Sequence, residues 1–222
     1  MVVSPLAPVP PLSPALASLT VRESQRGELL VTDVASRFLA FRPNAECYSI
    51  GLCPLAQDVE VRRFMLALAL ALTHTLHSRV LAVALPGSHK GLDRFCGVPA
   101  SPGLQEMLQT PPQNRFDTIH QTRFPFLSLL PAGGDHLPLP SDQVASRMNW
   151  LHELVRPHFE TVITLYPALS TIRRLDATYG LPDATFALVN RGMSAARVRE
   201  AVSRLENAGA QVAGSILCNR AA

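Results

Sequence analysis

Lysine is almost missing from this chain of 222 residues: Lys90 stands alone among 20 lysines and arginines. Charge of both signs is sparse, at 17% of the residues, and the net +3 is scattered without a cluster. A nucleic-acid groove needs a concentrated basic face, so nucleic acid is not an expected partner. Cysteine is scarce and dispersed: Cys47, Cys53, Cys96 and Cys218 lie far apart with no CxxC pair. That spacing speaks against a zinc ribbon or a disulfide framework and fits buried thiols in a reducing compartment. No apolar run approaches the ~20 residues of a membrane span. The longest, Phe64 to Leu72, is followed at once by His74 and His77. These two histidines are at helical i, i+3 spacing, but no carboxylate partner accompanies them, so no metal site is expected. No GxSxG elbow occurs, and no cysteine sits in a nucleophile context.

Glycine is missing where it matters most. The loop Leu52 to Arg63, LCPLAQDVEVRR, contains none. It follows a short apolar strand and precedes a long apolar helix, the place where an open parallel sheet binds a nucleotide phosphate. A phosphate cradle needs backbone that can approach the anion closely, a lysine, and a serine or threonine. The only lysine lies elsewhere, in PGSHKG, with His89 before it and Gly91 after it. GxxxxGK[ST] requires glycine before and a hydroxyl residue after, so Lys90 is expected in an ordinary surface turn.

What is present is an alternation. With 47% hydrophobic residues the chain can bury a substantial single core. Five prolines within the first fourteen residues make residues 1–20 an expected flexible arm, and residues 21–222 one α/β domain. A helical stripe runs from Arg26 to Phe41, then a strand from Tyr48 to Leu52. The apolar helix Val61 to Leu76 follows, and Val80 to Leu85 reads as a strand buried on both faces. A short helix, Leu104 to Leu108, precedes a polar excursion at 110–123. Strands are expected at Phe126 to Leu130, Thr161 to Leu165, Thr185 to Val189 and Gln211 to Leu217. Helices are expected at Gln143 to Val155, Thr171 to Ala177 and Ala195 to Ala208. The expected fold is an open, mostly parallel sheet of about six or seven strands with helices on both faces.

Three consecutive segments carry a resemblance. They are GLDRFCGVPASPGLQEML (Gly91 to Leu108), LSLLPAGGDHLPLPSDQVASRMNWLHELVRPHFETVITLYP (Leu127 to Pro167) and FALVNRGMSAARVREAVSRLENAGAQVAGSILCNR (Phe186 to Arg220). In this order they resemble the bacterial tyrosine kinases of polysaccharide export, the BY-kinases, over about residues 45–220. The wider ParA/MinD-type P-loop ATPases share that fold. The resemblance implies a P-loop NTPase-like domain, and it also shows what has been replaced. The family's Walker A lysine falls at about Arg62, its preceding glycines on Glu60, Val61 and their neighbours, and the magnesium-holding hydroxyl on Arg63. The two carboxylates of the second motif fall on Ala84 and Pro86, and the Walker B aspartate on Leu165. Asn219 matches the position after the last strand that faces an adenine base.

Arginine at position 62 supplies charge, but without glycines the backbone does not wrap phosphates, and without carboxylates no octahedral magnesium shell is completed. Phosphoryl transfer rests almost wholly on that positioning and neutralisation. The expectation is a BY-kinase-like pseudokinase without a cofactor and without catalytic or metal-binding residues. It would serve as a binding or regulatory subunit of exopolysaccharide synthesis and export. Expected partners are a membrane polysaccharide co-polymerase, a synthase or an active kinase paralogue, in a homo- or hetero-oligomer. Expected localisation is cytoplasmic, with recruitment to the inner membrane through the partner. The contact surface is expected at Gln57, Asp58, Glu60, Arg62 and Arg63. Two alternatives are a divergent ATPase or kinase with a rearranged site using Lys90, and a ParA/MinD-like localisation factor. The family's carboxy-terminal tyrosine cluster has no counterpart among Tyr48, Tyr166 and Tyr179; it was either trimmed or never there.

Overall fold

The apolar helix α1, Val61–Leu76, buries Val61, Met65, Leu68, Ala69 and Leu72 on one stripe, while Phe64, Leu66, Leu70 and Ala71 pack half-buried beside it. Its near-continuous apolarity thus comes from coverage on several sides, and its boundaries match the sequence expectation. The computed structural model describes residues 47–57, 61–88, 91–109, 116–134, 141–171 and 182–218. The expected arm, the helix Arg26 to Phe41, the Lys90 turn and the helix beyond Thr171 lie outside the described residues, as do Asp58, Glu60 and Asn219.

Around α1 the elements follow as β1 (Tyr48–Pro54), β2 (Val80–Ala84), α2 (Leu92–Cys96), α3 (Leu104–Gln109), β3 (His120–Gln121) and β4 (Leu127–Leu130). The second half adds α4 (Ser141–Val155), β5 (Thr161–Leu165), β6 (Ala184–Asn190), α5 (Ala195–Asn207) and β7 (Val212–Cys218). They form one seven-stranded sheet ordered β3-β4-β2-β5-β1-β6-β7. Every described pairing is parallel except β3 with β4. The expected open α/β sheet is therefore present.

Strands β1, β2, β5 and β6 are buried along their whole length, as both-face coverage in a parallel sheet requires. Their alternate residues feed two cores. Ile50, Leu52, Ala82, Ala84, Ile163 and Leu165 join α1 on one face. Cys53, Leu81, Val83 and Val162 join Met107, Met148, Leu151, Val155 and Leu205 of the helices on the other.

Apart from shifts of one or two residues at the ends of α3, β4, α4, β6, α5 and β7, four details differ from the sequence reading. β1 continues past Leu52 to Pro54, because a proline at a strand's end still offers its carbonyl, which accepts from the Leu169 N–H at 2.7 Å. β2 stops at Ala84, and Leu85 leaves the ladder after one last bond to the Leu165 carbonyl. The polar excursion contains the edge strand β3, two residues too short to show a period. The segment after Lys90 forms α2, bracketed by Gly91 and Gly97 at φ 93° and 72°, left-handed positions that glycine fills without steric cost.

Candidate functional site

The sheet order sets the carboxyl ends of β2, β5, β1 and β6 side by side. Register then brings two sequence-predicted positions together with the first residue of the glycine-free loop: Leu52 of β1 and Ala84 of β2 both pair with Leu165 of β5. All three are buried and face α1. The main chain closes this edge further. Tyr166 N–H donates to the Leu52 carbonyl at 3.0 Å, and Leu55 N–H to the Leu188 carbonyl at 3.0 Å. Pro86, half-buried, lies in the turn just beyond β2.

Helix α1 opens beside this edge, and no acidic residue occupies its first turn. Arg62 sits at its second position, partly buried, and reaches the loop after β2: a Cβ on Gly91 would lie 3.3 Å from the Arg62 Nη1. Arg63 next to it is exposed, and so is Gln57 at the start of the connection. The structure thus gathers Arg62, Ala84, Pro86 and Leu165 around one end of the sheet, with Gln57 and Arg63 on its solvent side.

A cleft of about 410 Å³ opens at the same end, on the opposite face of β1 from α1. Leu55, Ala56 and Leu169 form one wall, and Arg197, Glu200 and Arg204 of α5 project from the other. Sequence reading passed over these α5 residues. Their i, i+3, i+7 spacing marks one helix face, but only the strand order places that face above the β1 loop. The cleft thus sets two arginines and one glutamate across from an apolar wall.

Burial also suppresses thiol chemistry at three of the cysteines. Desolvation pushes the Cys53 thiol up to about 12, against the opposing influence of Arg204, and the Cys96 and Cys218 thiols up to about 11. These thiols stay protonated at neutral pH and are poor nucleophiles. Among the described residues no group of three His, Cys, Asp or Glu side chains is placed to hold a metal ion. No described helix is long and apolar enough to cross a membrane.

Further along the same end, the SPG and PAGG turns are joined through Glu106 at the start of α3. Its carboxylate accepts from the N–H of Gly103, the N–H of Gly134 and the hydroxyl of Ser101, each at 2.8 Å. Burial alone would raise the Glu106 pKa, but these three donors outweigh it and hold the group down to about 2. Gly133, at φ 95°, passes so close that a Cβ there would collide with this carboxylate. The sequence reading did not single out the residue that ties these two segments together.

No family model and no curated protein matches the chain. Solved structures do. The BceF tyrosine kinase domain superposes with a TM-score of 0.74 at 22% identity, covering 90% of this chain and 80% of that one. The kinase domain of the Escherichia coli tyrosine kinase ETK gives 0.77 at 19% identity, covering 87% and 75%. MinD of Pyrococcus horikoshii, solved with Mg-ADP, gives 0.60 at 16% identity, covering 77% and 70%. With seven strands in this order and one antiparallel edge, the chain has the fold shared by bacterial tyrosine kinase domains and the MinD/ParA ATPases.

Proposed function

We propose that this chain is a BY-kinase-like pseudokinase that works as a binding or regulatory subunit in exopolysaccharide synthesis and export, independently of nucleotide. The observation that carries the reading is the apolar register Leu52, Ala84 and Leu165 at the carboxyl edge. A magnesium ion takes hard oxygen ligands in near-octahedral array, and these side chains offer none. The resemblance aligns Arg62 with the family's phosphate-binding lysine, but on a glycine-free connection, and the Arg62 guanidinium lies beside Gly91. The partner is a membrane polysaccharide co-polymerase, a synthase or an active kinase paralogue. It meets the face bearing Gln57, Arg62 and Arg63, and it brings the chain from the cytoplasm to the inner membrane.

Two measurements test this. In thermal unfolding, a ligand at 100 times its Kd stabilises by about 2.7 kcal/mol, so millimolar ATP with magnesium is expected to leave Tm unchanged. A reproducible upward shift instead supports the divergent-ATPase alternative. Purified chain is also expected to bind the cytoplasmic part of a co-polymerase and to lose that binding on joint Arg62→Ala and Arg63→Ala substitution. Unchanged binding by the double variant places the contact elsewhere and sinks that assignment.

A further inference from the structure

The two edges of the sheet are guarded differently. β3 is two residues long and bears His120 and Gln121, with Arg123 two positions after its end. β7 is seven residues long, VAGSILC, with no charge and no proline. Natural edges are blunted by brevity, lysine or proline, because a long bare edge invites another strand. Among the described residues β7 pairs with β6 alone.

The register of β7 decides what such a strand would meet. A register irregularity lies at its start, and Gly214 to Cys218 then pair regularly with Phe186 to Asn190. The Arg191 N–H donates to the Cys218 carbonyl at 3.2 Å, so Gly214, Ile216 and Cys218 direct their main-chain groups toward β6. By alternation Ser215 and Leu217 direct theirs outward. Both are exposed, and Leu217, at 69%, is the most exposed large apolar side chain among the described residues.

We propose that β7 pairs antiparallel with β7 of a second copy of this chain, about a two-fold axis at Ile216, joining the two sheets into one. Ile216 is the midpoint of the regular stretch and would face its copy as a close, non-hydrogen-bonded pair. Ser215 of each copy then exchanges both main-chain bonds with the partner's Leu217. On one face Leu217 covers the partner's Ser215; on the other Cys218 lies opposite the partner's Gly214, so a larger side chain meets a smaller one at both places. Moving the axis to Ser215 loses this fit. It would set Leu217 opposite Ala213, which the irregularity turns toward the other core, where it packs with Ile216. The strand carries no charge, so two-fold pairing opposes no like charges. This inference does not rest on the proposed function.

Sedimentation equilibrium of the full chain is expected to show a reversible, concentration-dependent dimer. Leu217→Lys should weaken it at least tenfold, with Tm unchanged at dilutions where both proteins are monomeric, since the side chain is exposed in the single copy. Ser215→Cys mixed with Leu217→Cys should give a disulfide-linked dimer on a non-reducing gel, whereas either variant alone should not, because each thiol then faces no thiol across the axis. Native Cys218 is buried and does not compete. A wild-type chain that stays monomeric, a dimer indifferent to Leu217→Lys, or single variants that cross-link as readily as the mixture would each overturn the proposal.

Discussion

At the scale of single residues, Glu106 shows how a surface carboxylate can fix a fold. Its pKa is held at about 2 in the folded chain, against 4.5 for the ordinary group. A lowered folded pKa contributes stability that is fully present above the unfolded value and is lost as pH falls through the folded one. The window here is therefore from about pH 4.5 down to about pH 2. Glu106→Gln is expected to cost about 1–2 kcal/mol at pH 7, a figure already discounted for the group's contact with solvent. The difference from wild type should shrink toward pH 2, where both side chains are neutral. Urea midpoints at pH 7, 4 and 2.5 measure this; a cost that does not change with pH assigns the effect to shape instead of charge. The glycines of SPG and PAGG are plain in the sequence. Nothing there shows that one side chain joins the two segments, because the partners lie 28 residues apart in chain order and meet only when α3 packs beside the end of β4.

At the scale of elements, legibility followed burial. The helix α1 and the strands β2 and β5 could be read almost to the residue, since both-face burial leaves an unbroken apolar run and polar or breaking residues mark its ends. α2 and β3 were not legible: the one depends on glycine dihedrals at its two caps, and the other on pairing with a strand that a two-residue segment cannot announce. The candidate site divides in the same way. The strand ends that carry Leu52, Ala84 and Leu165 are local features, and the resemblance singled out Ala84 and Leu165 there, while the Arg197, Glu200 and Arg204 wall required the order of β1 and β6 in the sheet. The stripe on α1 can be tested directly. Leu68 is fully buried whereas Leu66 is only partly so. Leu68→Ala should lose about 2–5 kcal/mol, in the range of core leucine truncations, and Leu66→Ala clearly less. Equal losses in chemical denaturation would mean that the helix is seated differently.

At the scale of the whole molecule, stability is graded across the sheet. β1 and β5 lie at its centre, buried on both faces, and backbone bonds tie their ends into neighbouring loops. The far corner is looser. In α5 only Leu205 is fully buried, and the burial of β7 is partial along most of its length. Local opening free energies follow such differences in packing. Native-state hydrogen exchange should therefore find the amides of β1 and β5 among the slowest and those of α5 early in the order. Within β7 the pattern should alternate: the amides of Gly214, Ile216 and Cys218 bond to β6 and should be protected, whereas Ser215 and Leu217 should exchange quickly in dilute protein. Raising the protein concentration provides a control internal to the same strand. If β7 pairs with its copy, Ser215 and Leu217 gain protection as the dimer fills, while amides of the central strands keep their rates. Protection of Ser215 and Leu217 that is already high in dilute protein would instead mean that another part of the same chain covers this edge.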